Sequence, residues 1–478
     1  VPVEMEGTSE FSEIQHFYAN TTVFVTGATG FVGKLVLEKI LRQCDVKHVY
    51  LLVRGKDGVD AEARCANIFD STAFLNLKRN NQEFYKKVSL LLGDCEQPDL
   101  GLSDYDKSLI IKEVNCIFHC AALTRYDEPL KKSRIGKRKS YSGSSRNSQT
   151  SRTFKRDNIS NSVESSLLGD WPNTYTFTKQ IAEDLIKREG RDLSISIVRA
   201  SHIIPAADEP ITGYVENIYS LSGLAVANAL GINRVNYYKN GILDVVPVDY
   251  VVSLLLASGW YAGLQKLRKK RGDITSTDVL VYHCVTSQEK SLTSDEWMGI
   301  TETACREVPT TKMIQLPLTF NTSCYYNYKL LTFLLHTCMG FLCDIGLRIA
   351  GKKTRTAEKH LWIVDGYKRL HKIQELGSPF FLKQWYISNE NTQKLLKRMS
   401  FRDRELFNFD ILNINWETYF HSFARGLRVY ILNDPMSTLS EGRKKQQRKL
   451  VTQLLSAVFF VLLFYVIIKF VLFRAILR

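Results

Sequence analysis

The stretch Val23 to Gly33, VFVTGATGFVG, constrains this chain more than any other. A short β-branched and aromatic run, Val23-Phe24-Val25, ends in a turn with glycine at every third position: Gly27, Gly30 and Gly33. The turn leads directly into KLVLEKILR, which carries a helical apolar period. Strand, glycine turn and helix in that order are the setting a dinucleotide fingerprint requires. The glycines allow a tight turn and a close backbone approach to a pyrophosphate, and the helix start offers unpaired N–H groups to that phosphate. Thr26, Gly27, Thr29, Gly30, Phe31 and Gly33 are therefore the expected contacts.

The surroundings repeat the theme. Strands are expected at Val23–Thr26, His48–Val53, Val88–Leu92, Cys116–Ala121 and Ser194–Val198, with helical patterns between them. Such alternation defines an α/β chain with a Rossmann-type, doubly wound parallel sheet. The strands are nearly continuous apolar runs, as a sheet covered on both faces demands. Val246-Pro247-Val248-Asp249 opens a further helix, with Asp249 expected as its N-cap.

The net charge of +15 invites a nucleic-acid reading, but its distribution argues against one. Residues 131–156 hold ten basic residues and no acid, and residues 443–449 add five more. Elsewhere the charges roughly balance, so no folded face has to be basic, and no nucleic-acid partner is expected. The ten cysteines form no C-x-x-C pair, and Cys116 and Cys120 flank His119 within a run that reads as a buried strand. Free thiols in a reducing compartment, and no metal site, are expected. No secretory signal is visible, and the chain opens on Val1, which reads as a sequence lacking its start.

Two apolar segments lie further on. Leu330–Cys343 is about 14 residues long, short for a bilayer span, and reads as a buried helix or a membrane-surface contact. Leu450–Phe473 is a run of 24 residues with one charge, Lys469. That exceeds the roughly 20 apolar residues a transmembrane helix needs. The basic cluster just before it places the body of the chain on the cytosolic side.

Arg54 ends the second strand, about 20 residues past the glycine turn, where NAD-binding folds place an acid for the ribose 2′-hydroxyl. An Arg there suits a 2′-phosphate, so NADPH is the expected cofactor. Asp94, after the third strand, is an adenine-side contact or a turn cap. Tyr175 and Lys179 form Y-x-x-x-K in NTYTFTKQIAEDLI, and residues four apart share a helix face. An ammonium beside a phenol is expected to lower the phenol's pKa from about 10 toward neutrality. Tyr175 would then donate a proton to the oxygen that gains charge after hydride addition, and Lys179 would also hold the nicotinamide ribose.

The glycine turn, LLVR at Leu51–Arg54, Gly93-Asp94, IFHCAALTRYDEPL, LLGDWPNTYTFTK, VPVDYVV and DRELFNFDI together resemble an alcohol-forming fatty acyl-CoA reductase, with insect members most similar. The resemblance spans most of residues 10–435. It implies an extended short-chain dehydrogenase/reductase with a helical C-terminal domain, a C-terminal membrane helix, and two NADPH-dependent hydride transfers. These take a long-chain acyl-CoA through a bound aldehyde to a fatty alcohol. It also places Ala121 against the cofactor. The expected organisation is a lead-in at 1–20, the reductase domain at 21–280, a connector at 281–330, the helical domain at 331–430, a basic linker at 431–449, and a membrane helix at 450–473. The endoplasmic reticulum is the first expected compartment and the peroxisome the second.

One segment departs from the pattern. The family continues after DE-x-L with a helix and a buried strand ending in the catalytic Ser or Thr. Here residues 131–166 are basic, Ser-rich and without helix or strand period, and only 37 residues separate Leu130 from Leu168. We read this as sequence foreign to the fold, of the kind a mis-spliced or frameshifted gene would give. Loss of a central strand and helix would cost as much as the roughly 5–15 kcal/mol that holds a domain together. Ser140, Ser142, Ser144 and Ser145 are given no role. Ala200 is a milder departure, since the family has Pro after this Arg. A membrane-bound steroid dehydrogenase of the same superfamily, or a paralogue that binds nucleotide or lipid without turnover, stays open at this point.

Overall fold

The computed structural model describes residues 11–56, 58–122, 168–190, 193–273, 279–350 and 363–476. The segment 131–166 lies outside them. Two compact units interleave along the sequence: residues 1–214, 242–292 and 383–415 form one, and residues 215–241, 293–382 and 416–478 the other. The sequence had suggested consecutive blocks.

In the first unit, β1 (Thr22–Thr26) lies between β2 (His48–Val53) and β4 (Cys116–His119), and β3 (Val88–Leu92) extends the sheet beyond β2. All pairings are parallel, giving the order β3-β2-β1-β4. β1 is buried along its whole length, which explains its unbroken run of β-branched and aromatic residues. The helix Phe31–Gln43 packs beside the helix Val248–Arg271, burying Leu35, Val36, Leu37 and Ile40. β5 (Ser196–Ala200) pairs in parallel with the strand Leu280–Cys284, Ser196 opposite Leu280. Among the described residues, no hydrogen-bonded ladder joins β4 to β5.

Residues 383–415 return to this unit because a buried carboxylate ties them there. Asp403 accepts hydrogen bonds from Ser12 Oγ (2.5 Å), Ile14 N (3.1 Å) and Ser400 Oγ (2.8 Å). Phe407 and Phe409 of the FNFD segment are buried here, and Lys39 Nζ lies 5.6 Å from the Phe407 ring centroid. FNFD therefore belongs to the first unit and not to the second.

Asp249 is not the N-cap. Pro247 holds that position, and the buried Asp249 carboxylate accepts from the backbone N–H groups of Ala207 (2.9 Å), Asp208 (2.8 Å) and Glu209 (3.1 Å). It pins the loop after the strand His202–Ile204 to the start of the long helix.

The second unit has an aromatic core of Trp297, Phe420 and Phe423, set by the helices Ser294–Glu307 and Trp416–Gly426. Thr293 and Glu296 cap the first of these reciprocally. Strands Val235–Tyr237 and Phe320–Thr322 pair in parallel. The C-terminal apolar run belongs to one continuous 38-residue helix, Leu439–Ile476. The segment read as a short apolar stretch at 330–343 is part of a helical run of 25 residues, Tyr325–Ile349, with a π-helical turn at Phe333–Cys338. It is largely exposed, so the expectation of a buried helix does not hold. Its polar residues Tyr328, Thr332, His336 and Asp344 are the buried ones, which a composition count misses. All ten cysteines are free thiols.

Candidate active site

The glycine turn has the strand–turn–helix form that its sequence implies. Gly27 adopts φ +76°, a left-handed conformation that a side chain would strain. A Cβ there would lie 2.6 Å from Ala121 N, because the chain leaving β4 crosses directly over the turn. Ala121 is thereby placed at the fingerprint. A Cβ at Gly33 would meet Gly27 O at 2.3 Å, so this glycine lets helix and turn pack. Gly30 differs: a Cβ there would have one neighbour within 4 Å, Gly27 O at 3.3 Å. That contact is tight, but looser than those at Gly27 and Gly33, and the otherwise open side of Gly30 leaves its backbone accessible to a phosphate. No side chain caps the helix that starts after Gly30. The donor set therefore fits a dinucleotide.

Arg54 is placed at the end of β2, but two carboxylates hold it. Its Nη1 donates to Asp94 Oδ2 at 2.8 Å and lies 3.4 Å from Glu96 Oε1. The hydrogen bond to Asp94 pushes the Arg54 pKa up, further from any neutral form. Asp94 also accepts from Glu96 N at 2.9 Å, so it caps its own turn. Sequence reasoning missed Arg64. From the helix Ala61–Phe69 it reaches back, donating to Thr29 Oγ1 at 3.1 Å and to the Arg54 carbonyl. Two guanidinium groups thus flank the outer edge of the glycine turn.

Tyr175 and Lys179 lie on the helix Thr174–Glu189, whose N-cap Asn173 accepts from Thr176 N at 2.9 Å. Lys179 Nζ sits 5.9 Å from the Tyr175 ring centroid, so the two do share a face. Their electrostatics differ from the sequence expectation. Burial raises the Tyr175 phenol above its ordinary value and lowers the Lys179 ammonium. Desolvation, which disfavours either charge, outweighs the attraction expected between ammonium and phenolate.

His119 is a second residue that sequence reasoning passed over. Its Nδ1 is 2.9 Å from Thr26 Oγ1, linking the ends of β1 and β4. Burial, reinforced by the Lys179 charge, pushes its pKa down to about 4, so it is neutral at physiological pH. Glu183, one turn beyond Lys179, holds Arg199 of β5 through Nε (2.9 Å) and Nη2. Arg199 Nη1 donates to His283 Nε2 (3.1 Å), and His283 Nδ1 donates to the Ser388 carbonyl (2.7 Å). The available signal was a polar residue at the C-terminal end of each apolar strand, where ligands of open α/β sheets bind.

Fold and site together define an NAD(P)-binding reductase of the extended short-chain dehydrogenase type. Comparison with known proteins narrows this. A family model described as male sterility protein, an NAD-binding domain, matches residues 25–136 and 137–255, and a second, the Sterile domain, matches 335–434. The first match breaks inside the anomalous segment. The chain is 31% identical to fatty acyl-CoA reductase 1 of Gallus gallus, covering 90% of this chain and 88% of that one. It is 30% identical to fatty acyl-CoA reductase wat of Drosophila melanogaster, covering 94% and 92%. Among solved structures, the terminal R domain of the myxalamid PKS-NRPS pathway superposes with a TM-score of 0.53 at 17% identity, over 86% of this chain and 91% of that one. The chain belongs to the fatty acyl-CoA reductase family.

Proposed function

We infer that this chain is an acyl-CoA reductase that converts a long-chain acyl thioester to a primary fatty alcohol and CoA through a bound aldehyde. The observation that carries the reading is the pairing of an intact glycine turn with a half-buried Tyr175–Lys179 face, in a chain of this family. Bound reduced nicotinamide supplies hydride to the carbonyl carbon. Every other requirement falls on the protein. Each addition places negative charge on an oxygen, which needs a preorganised donor. Tyr175, kept protonated by its burial, is loaded as that donor at neutral pH. Neutral His119 and Thr26 fix the strand ends beside it. Lys179 would hold the nicotinamide ribose, and the glycine turn with Ala121 would hold the pyrophosphate.

NADPH is the proposed form of the cofactor. Its support is the presence of Arg54 and Arg64 at the end of β2, with Asp94 as the carboxylate that orients Arg54. Residues 450–473 are proposed to cross a bilayer. At 1.5 Å per residue the 38-residue helix is roughly 57 Å long, well over the roughly 30 Å of a hydrocarbon core. Its basic first turns dock on the protein through Lys445 Nζ to Thr311 O (2.6 Å) and Gln446 Nε2 to Arg306 O (3.1 Å). The reductase body would lie in the cytosol, at the endoplasmic reticulum or the peroxisome.

A second reading has its own observation. Among the described residues no ladder joins β4 to β5, and the sequence between them departs from the family pattern, so an impaired or mis-spliced form is the alternative. One experiment separates the two. Membranes carrying the chain are incubated with NADPH and acyl-CoAs from myristoyl to hexacosanoyl, and fatty alcohol is measured beside a Tyr175→Phe variant. Alcohol that falls roughly 100- to 10,000-fold in the variant supports the reductase. No alcohol from well-expressed chain supports the impaired form, and transcript sequencing across residues 131–166 would then locate the fault.

A further inference from the structure

The helix Tyr325–Ile349 is built inside out. Its buried stripe recurs every fourth residue: Tyr328, Thr332, His336, Gly340 and Asp344. These are polar or small. The faces turned to solvent are apolar: Leu330, Phe333, Leu334, Phe341, Leu342 and Ile349, with Phe341 59%, Leu342 60% and Ile349 83% exposed. A helix on a water-soluble surface shows the reverse order.

Three of the buried polar side chains, Asp344, His336 and Thr332, are hydrogen-bonded, while the buried Tyr328 hydroxyl has no partner among the described residues. Asp344 accepts from Ile363 N (2.9 Å) and Val364 N (3.2 Å), capping the start of the helix Ile363–Phe381. His336 Nε2 accepts from Arg234 N (2.9 Å), and its Nδ1 donates to His371 Nε2 (2.7 Å). Its ring stacks on Tyr367 with centroids 4.6 Å apart. Thr332 donates to Tyr328 O at 2.7 Å. A stripe at four-residue spacing drifts around an α-helix, which closes a turn in 3.6 residues. The wider π-helical turn at Phe333–Cys338 takes up part of that drift and keeps the stripe on one side.

We propose that this helix lies in the plane of a bilayer surface, with its apolar face immersed among acyl chains. Its partner helix Ile363–Phe381 carries Asp365, Lys368, Arg369, Lys372 and Glu375, so the pair cannot cross hydrocarbon together. In-plane burial of one face is the arrangement left. The ends suit an interface: Tyr325, Tyr326 (82% exposed) and Lys329 at one, Arg348 at the other. The burial pattern carries the proposal by itself. Reading residues 450–473 as a bilayer anchor adds proximity, since that segment belongs to the same unit.

The test uses the full chain in phosphatidylcholine–phosphatidylserine vesicles whose acyl chains are brominated near their middle. An environment-sensitive fluorophore is placed at Leu342→Cys, or at Thr303→Cys on another helix of the same unit, with exposed Cys324 and Cys343 replaced by Ser. Co-sedimentation reports on the 450–473 anchor, and bromine quenching reports on this helix. Expected are strong quenching at position 342, several-fold weaker quenching at 303, and loss of the difference in Phe333→Glu/Phe341→Glu. Because those side chains are exposed, the variant should still fold. Sedimentation with equal quenching at both positions overturns the docking helix and spares the anchor. Self-quenching at 342 that grows with protein concentration, without bromine quenching, overturns it in favour of a second copy on this face. Failure to sediment with no quenching overturns both.

Discussion

Two parallel sheets of the first unit, β3-β2-β1-β4 and the pair formed by β5 with Leu280–Cys284, carry the same kind of strand in different surroundings. In β1 and β2 every residue but His48 is buried, and the glycine turn between them is closed by backbone contacts at Gly27 and Gly33. In β5 all five residues are only partly buried, though SIVRA is as apolar apart from Arg199. The difference is one of neighbours. β1 is flanked by strands on both sides, whereas β5 is paired on one side only, to Leu280–Cys284, among the described residues. Burial in a sheet belongs to the ladder more than to the strand. The nucleotide half of the site holds its geometry through packing. The Tyr175–Lys179 half leans on its own helix cap and on the Glu183–Arg199–His283 chain.

Substitution at Gly33 should break the comparison most completely. Gly33→Val puts side-chain atoms into Gly27 O, where even a Cβ lies at 2.3 Å, so NADPH binding measured by fluorescence should be lost beyond detection. Retained binding would mean that the turn is not the cofactor cradle. Arg54→Glu should sharpen it at the outer edge. Removing one charge-assisted contact is worth about 1.5–3 kcal/mol, or roughly tenfold to a hundredfold in affinity. The loss should appear for NADPH and spare NADH. Equal loss for both would assign Arg54 to the Asp94–Glu96 turn alone.

An effect confined to acid pH, and there no larger than that at Arg54, is expected at His119. Its folded pKa of about 4 lies below the ordinary 6.5. The folded state therefore binds fewer protons than the unfolded one between those values, and stability falls as pH drops through that window. The contribution is at most about 3 kcal/mol. His119→Asn should flatten the fall in unfolding midpoint between pH 6.5 and 4 while leaving stability at pH 8 little changed. An unchanged slope would show that His119 does not carry this linkage.

Strand positions were legible because both faces of a parallel sheet are apolar. β2 and β3 fall where the sequence places them, while β4 ends at His119, two residues short of its expected end. The misses share another cause. Asp249, Asp403 and Asp344 each accept backbone N–H groups from a segment close in space or distant in sequence, which no periodicity reveals. The sequence marked them as a cap, as part of a motif in another domain, or not at all. His119 and Arg64 were hidden for a related reason: each acts through a neighbour, Thr26 and Thr29 respectively, brought close only by the fold. The phenol of Tyr175 was misjudged because burial is invisible in a spacing of four residues.

The central claim is that one site performs two successive reductions of an acyl thioester. It is tested most directly by titrating the full chain, in membranes from cells that express it, with long-chain acyl-CoA and counting NADPH oxidised against CoA thiol released. The account predicts two NADPH consumed for each thiol, with alcohol as the product and both signals lost in Tyr175→Phe. One NADPH per thiol with free aldehyde accumulating, or thiol released without NADPH oxidation, would contradict it.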